Sequence, residues 1–422
     1  MWDRRAFLKS SGVALVSFGL GPDFLHRAAS ASGVSSGTST RGKRTLVTIF
    51  QRGAMDALAA VPPVGGGELA KLRPRLAMNA ARGSADGALL DLGVGFALHP
   101  AFADVAPLFR SRELAVVHAV GSPDATRSHF DAQDYMETGT PGRKGTSSGW
   151  LNRVCGELGH DATPFRAVAM TSALPRSLYG EEPAVAIARL EDFRVRMPGG
   201  ERRSARAGKG FEALYAETTE ELLGGTGKET FDAVKLLSES ELSRYRPAAG
   251  VRYPTSPLGE SLRQIAQLVK ADVGLEVAFA ESGGWDTHVA QGTAQGSFAR
   301  RAEDLSRGIA AFWADLGERK DEVVLMTMTE FGRTVRENGS GGTDHGHGSC
   351  LFVLGTAVDG GKVHGDFPDL ARGELYEGRD LPVTTDFRSV FSEVAEKHLG
   401  VSATSELFPG WRGSRLPLLR ES

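Results

Sequence analysis

The sequence predicts an α/β fold, a large and mainly parallel central sheet with helices on both faces. Three observations predict it. Six short apolar, β-rich runs recur along the chain, of the kind that form strands buried on both faces. Between several of them apolar residues recur three and four apart, as in helices packed on a sheet. Alternation of the two patterns is the signature of a parallel sheet between helical layers.

The chain opens with a different signal. Arg4 and Arg5 stand in the string D-R-R-A-F-L-K, ahead of the apolar run Gly12 to Leu20 and the small-residue cleavage site Ala29-Ser30-Ala31. A basic start, a short apolar stretch and such a site make a secretory signal. The paired arginines followed by Phe7, Leu8 and Lys9 point to the twin-arginine route. Residues 1–31 are read as this signal, with the twin-arginine translocase as partner during export. The expected location is the periplasm, the cell surface or the extracellular space. The apolar run falls short of the ~18 residues a spanning helix needs, so no transmembrane segment is expected in the mature chain. Residues 32–44 lack apolar periodicity and read as a flexible linker. The folded domain is expected over 45–422.

Thr45 to Phe50 (T-L-V-T-I-F) is the first predicted strand, suited to the sheet centre. Leu114 to Val120 and Arg166 to Met170 follow. The charged, mostly helical stretch Arg194 to Arg252 breaks the alternation and reads as an insertion capping the sheet. Pro257 to Asp272 repeats Leu258, Leu262, Ile265, Leu268 and Val269 at helical spacing, with Pro257 in the first turn, where its missing N–H costs nothing. Then come a strand at Leu275 to Ala280, a helix at Phe298 to Leu316, and strands at Val323 to Thr329 and Cys350 to Leu354. Thr385 or Asp386 caps a last helix running to His398, with Gly400 just past its end.

The formal net charge of −3 argues against a nucleic-acid partner. The 53 glycines are well above the ~7% that is usual and imply many tight turns and close backbone approaches. Cys155 and Cys350 do not make a disulfide framework in a chain of this size and are expected to be free and buried.

Ligands of a parallel sheet bind beyond the carboxyl ends of its strands. Arg52 and Asp56 follow the first strand, and Ser128 and His129 follow the second. Asp286 and His288 follow Leu275 to Ala280, Glu330 and Arg333 follow Val323 to Thr329, and Asp344, His345 and His347 precede Cys350. Histidine nitrogen and carboxylate oxygen suit zinc, manganese or a related divalent ion such as calcium. The metal candidates are Asp56, Asp286, His288, Glu330, Asp344, His345 and His347. Ser128 is the candidate nucleophile, activated by metal coordination, and Arg52, His129 and Arg333 are the candidates for an anionic substrate.

A plainer role is open to each. Asp56 can cap a turn, Asp286 can cap a helix, and Glu330 and Arg333 can pair at i and i+3. The D-H-G-H segment, in a glycine-rich loop before an apolar strand, is poor core material and is read as a metal or substrate contact.

The strings R-G-A-M-D-A-L, R-S-H-F-D-A-Q-D, G-G-W-D-T-H, T-E-F-G-R and G-T-D-H-G, in this order, resemble the bacterial family of domain of unknown function 1501. That family is similar to a distant branch of the alkaline phosphatase and sulfatase superfamily. The resemblance implies a large central sheet with a two-metal site for phosphate or sulfate transfer. Carried over, the superfamily's first aspartate resembles Asp56, and its hydroxyl nucleophile falls at Ser128 or, second, Thr126. One metal site resembles Asp286 and His288, completed by His345 or His347. Where the superfamily has an Asp-His pair, this chain has Glu330 and Phe331, and phenylalanine has no metal-binding side chain. Asp344-His345 restores the pair in a shifted register, with His347 then the late histidine; both registers remain open.

Two functional readings follow. One is an exported metal-dependent hydrolase of phosphate or sulfate esters, acting on an anionic small molecule or glycan. The other is a non-catalytic envelope protein that uses the same cleft to bind a glycan, an anion or a protein partner. Convergence of Asp56, Asp286, His288, Glu330 and His345 on one centre, faced by Ser128, is what the first requires in full; partial convergence around one cation would favour a mono-metal enzyme or a binding protein.

Overall fold

The computed structural model describes residues 44–65, 67–78, 87–160, 162–190, 245–402 and 404–420. The expected twin-arginine signal, the expected linker up to Lys43 and the expected insertion up to residue 244 lie outside the described residues. Residues 245–252, the end of that stretch, form turns and coil.

Nine strands form one sheet. At its centre β1 (Thr45–Arg52) lies between β7 (Val277–Gly283) and β8 (Val323–Met328), parallel to both, with Arg52 opposite Gly283 and Thr45 opposite Val323. Beyond β7 come β5 (Ala167–Ala169) and β6 (Val185–Ala186), also parallel. Beyond β8 lies β9 (Ser349–Leu354), then β4 (Leu114–Gly121). Two short strands, β10 (Val363–His364) and β11 (Thr385–Asp386), pair with β4 in parallel. A separate ribbon joins β2 (Leu90–Asp91) and β3 (Ala97–Leu98).

The sheet is mixed rather than wholly parallel, because β9 runs antiparallel to both β4 and β8. Antiparallel neighbours need no crossover helix. The chain therefore leaves β8 and re-enters β9 at the same edge, and the whole segment between them stays at the carboxyl ends of the parallel strands. That edge is where the chemistry-bearing loops collect.

Side-chain alternation along β1 sorts the core into two layers. Val47 and Ile49 face a cluster that includes Leu262, Ile265, Leu305, Ile309 and Phe312. These belong to two helices, Pro257–Lys270 and Ser297–Leu316. Leu46 and Phe50 face Trp150, Val154, Phe387, Val390 and Phe391, from the helices Trp150–Glu157 and Phe387–Leu399. Helices thus cover both faces, as the strand–helix alternation predicts. Ser256 caps the first of them by accepting the Gly259 N–H at 3.0 Å, with Pro257 in its first turn. Asp386 caps the last, accepting from the Arg388 N–H at 2.9 Å, and left-handed Gly400 ends it. Cys155 and Cys350 are free and buried.

Candidate metal centre

The helix His129–Thr138 begins just past β4 and brings His129 to the carboxyl edge of the sheet. Its neighbours there are Asp286 and His288 beyond β7, Glu330 and Arg333 beyond β8, and Asp344 and His345 before β9. The last loop is pinned by pairing with the segment after β8. Gly346 N–H donates to Gly332 O at 2.8 Å, Gly332 N–H to His347 O at 2.8 Å, and Thr334 N–H to Asp344 O at 2.9 Å. Glycine is required at 346, where a Cβ would stand 2.4 Å from the Arg333 carbonyl carbon. It is required again at Gly53, which has φ +114° and whose Cβ would meet Asp286 N at 2.5 Å.

Three imidazoles and a carboxylate converge. His345 Nε2 lies 3.0 Å from His129 Nε2 and 2.8 Å from His288 Nε2. Asp286 Oδ1 lies 3.0 Å from His288 Nε2, 3.4 Å from His345 Nε2 and 3.6 Å from His129 Nε2. Four donors at ~2.1 Å from one zinc ion in tetrahedral array stand roughly 3.4 Å apart, so these separations fit a single cation. His129, Asp286 and His345 alone satisfy the geometry of a metal-holding group.

The far side of each ring fixes which nitrogen is bare. His129 Nδ1 meets Glu330 Oε1 at 2.7 Å, His288 Nδ1 meets Asp344 Oδ1 at 3.0 Å, and His345 Nδ1 meets Arg127 O at 2.8 Å. All three partners are acceptors, so each Nδ1 carries a proton, and each Nε2 would be free to present its lone pair to a shared cation. Such acceptors behind the rings orient metal-binding histidines. The charge balance agrees. Asp286 pairs with Arg333 and Asp344 feels Arg379, but among the described residues Glu330 has only His129 as a charged or chargeable partner at the centre, so negative charge remains for a cation or an additional imidazole proton to neutralise.

The carboxylates are held ionised. Burial opposes the charge on Glu330, but hydrogen bonds from His129, Gln133 and the Gly53 N–H keep its pKa below the ordinary range. Burial likewise opposes Asp286, and Arg333 outweighs it. Asp344 is lowered first by Asn338, which donates to it at 3.0 Å, and then by His288. Burial keeps His345 below the usual imidazole value, while the Glu330 hydrogen bond raises His129. Phe331 stacks its ring at 4.8 Å from His129 and 5.0 Å from His345, an apolar wall to the centre.

Several candidates sit elsewhere. Asp56 caps the turn Ala57–Ala60 and is spent on Leu58 N–H, Ala59 N–H, Gln291 and a two-pronged pair with buried Arg73. It is fully committed away from the centre. His347 turns its Nε2 to Ser122 O at 2.9 Å and packs on Tyr376. Arg52, a candidate for the substrate, is enclosed by Glu281, Glu137 and Gln133. Arg333, another, is sealed from solvent, donating to the carbonyls of Ala54, Gly53, Trp285 and Thr343 and to Asp286 at 2.5 Å. It clamps three loops rather than a substrate, and it pairs with Asp286, not with Glu330. His129, assigned by the sequence to the substrate, faces the metal group. Ser128 caps its helix, its Oγ accepting from Asp131 N–H at 3.4 Å, and Thr126 Oγ1 accepts from Ser128 N–H at 3.3 Å.

The structure adds residues that the sequence reading missed. Gln133 and Glu137 follow His129 at helical spacing, a signal that was present, and tie Glu330 and Arg52 together. Arg73, Gln291 and Asn338 carry no local signal. Neither does Arg379, whose partly exposed guanidinium donates to His345 O at 2.7 Å.

Residues 111–407 match the family described as "Protein of unknown function (DUF1501)". No curated protein matches the chain. Among solved structures, a protein in the alkaline phosphatase superfamily from Vibrio parahaemolyticus is similar at 11% identity and a TM-score of 0.35, over 83% of this chain and 71% of that one. A sulfatase from Pseudoalteromonas sp. is similar at 12% identity and a TM-score of 0.33, over 84% of this chain and 68% of that one. The family match runs from just before β4 to Leu407, over more than half of the chain and through every loop that supplies the converging side chains, and the chain belongs to the DUF1501 family.

Proposed function

We propose that this protein is a metal-dependent hydrolase of phosphate or sulfate esters that works outside the cytoplasm. The observation that carries the reading is the meeting of three bare imidazole Nε2 atoms with Asp286 Oδ1, each ring committed through Nδ1 to an acceptor behind it. His129, His288, His345 and Asp286 would hold the ion. A nitrogen-rich set of this kind suits zinc better than calcium, which prefers oxygen donors throughout. When bound, such a cation polarises a phosphoryl or sulfuryl oxygen and lowers the pKa of a nearby hydroxyl.

The protein's own groups orient and position. Glu330 and Asp344 orient the rings of His129 and His288, and Arg333 holds Asp286 against the three imidazoles. Arg379, partly exposed beside His345, supplies a cation for the oxyanion. Ser128, one residue before His129, is the nucleophile in this reading; its Oγ accepts from Asp131 N–H, and its own proton has no acceptor among the described residues. The twin-arginine string and cleavage site support action in the periplasm or at the cell surface.

The test is the metal content of the mature protein purified without chelator, beside a D286A/H288A double variant. Stoichiometric metal in the parent and none in the variant is the expected result, followed by turnover of a phosphate or sulfate ester. No bound metal in either, even after incubation with zinc, manganese or calcium, overturns the reading. One observation favours a binding protein instead: the Ser128 Oγ already serves as a helix cap. Stoichiometric metal and anion binding without turnover of any ester would establish that alternative.

A further inference from the structure

We propose that the ester accepted at this centre carries an apolar group, aromatic or alkyl, and that Phe130 and Val289 are the side chains that grip it. The inference rests on the metal-centre reading above. Three large hydrophobic side chains are exposed among the described residues: Phe130 at 90%, Val289 at 67% and Val94 at 42%. The two most exposed each stand one residue beyond a metal-facing histidine, Phe130 after His129 and Val289 after His288. Those two rings meet at His345 Nε2. Single exposed hydrophobics are ordinary on a protein surface, but here the two most exposed each adjoin a histidine of the same charged centre in the chain, which makes them candidates for contact with a ligand held there.

Neither side chain is exposed because its backbone is loose. Phe130 is the second residue of the helix that Ser128 caps, and His129 before it is anchored on Glu330. Around Val289, His288 O accepts from Asn338 Nδ2 at 2.9 Å, and Ala290 N–H donates to Ser340 O at 3.1 Å. Both apolar side chains are therefore carried on anchored backbone and left in water. The charged donors of the centre recognise the oxyanion head of a substrate and gain nothing from the rest of it. An aromatic or alkyl substituent on that head is what two apolar side chains next in the chain to His129 and His288 could remove from water. A protein partner fits less well, since two side chains cover far less than the ~800 Å² per partner of a standard interface.

The test compares phenylphosphonate with methylphosphonate by calorimetry on zinc-loaded protein; both keep the oxyanion head and neither hydrolyses. Phenylphosphonate is expected to bind roughly ten-fold or more tightly. In a Phe130→Ser, Val289→Thr double variant the preference is expected to fall to about two-fold or less, with methylphosphonate unchanged. Both positions are exposed, and an unchanged thermal midpoint confirms that the variant is folded. A parent that binds both phosphonates equally, or a variant that keeps the preference, overturns this inference and leaves the hydrolase reading standing. A parent that holds zinc and binds neither overturns both. A parent dimer that the double variant dissociates gives the two side chains to a second copy, and also overturns it.

Discussion

Glu330 Oε1 lies 2.7 Å from His129 Nδ1, a fully buried carboxylate behind a ring whose other nitrogen faces His345 and Asp286. The same oxygen receives Gly53 N–H and Gln133 Nε2, so it sits where the loops after β1, β4 and β8 join. Glu330 thus acts through His129, as a positioning residue. Glu330→Gln keeps the shape but presents an amide, which no longer fixes the tautomer. Zinc affinity is expected to fall about 10–100-fold, the usual cost of losing such a partner. Competition with a fluorescent chelator measures it, and an unchanged affinity would remove Glu330 from the centre.

Asp56 and Asp286 look alike in sequence, each in a loop after a strand, yet their commitments differ. Asp56 is 1% exposed and bonded to Arg73, Gln291 and two backbone N–H groups, with burial opposing its charge and Arg73 holding its pKa low. Asp56→Asn leaves the Arg73 guanidinium buried without its counter-charge and is expected to cost about 3–5 kcal/mol of stability. The folded fraction is expected to retain metal. Urea unfolding and metal analysis of the same preparation check both halves, and loss of metal from a stable Asp56→Asn protein would return Asp56 to the ligand set.

The fold was legible because its strands are buried on both faces and so read as unbroken apolar runs, as in Thr45–Phe50 and Val323–Met328. The helices Pro257–Lys270 and Ser297–Leu316 were legible for another reason, since their large apolar residues recur three and four apart. The direction of β9 was not, because a buried strand has the same composition in either sense. The antiparallel pairing of β9 with β4 and β8, together with that of residues 332–334 with 344–347, shows that the chain turns back. At the site, the loop positions of Asp286, His288 and His345 could be read, whereas the commitments of Arg52, Arg333 and Asp56 could not. A guanidinium that holds loop carbonyls and one that awaits a substrate are identical in sequence, and distant partners decide between them: Glu137 and Glu281 for Arg52, the Gly53 and Ala54 carbonyls for Arg333, and likewise Arg73 and Gln291 for the carboxylate of Asp56.

Ser128 has two separable roles, cap and nucleophile. Ser128→Ala removes both and is expected to cost about 1 kcal/mol of stability. Ser128→Asn restores the cap, because an asparagine oxygen accepts the same backbone N–H, but supplies no hydroxyl. Stability is therefore expected to return in the asparagine variant while ester turnover stays lost in both. Turnover that survives in Ser128→Asn would assign the attack to another group.

Two buried histidines outside the centre make the fold sensitive to acid. His118 donates from Nε2 to Val61 O at 3.0 Å, and its Nδ1 accepts the Ala119 N–H at 2.9 Å. His398 reaches Thr45 O at 3.0 Å. Burial penalises the imidazolium at both sites by more than these hydrogen bonds return, and both pKa values are pushed down to about 4 from 6.5. The unfolded chain therefore binds protons that the folded chain refuses between about pH 6.5 and pH 4. Stability is whole above that window and falls as the pH drops through it, by roughly 3 kcal/mol per histidine at the acid end. A His118→Asn, His398→Gln double variant has no proton to take up at either site. Its urea midpoint is expected to lose much less than the parent's between pH 7.5 and pH 4.5, whatever each variant costs at neutral pH. Equal losses in the two proteins would mean that the two imidazoles titrate normally in the fold, and that its acid sensitivity comes from the carboxylates.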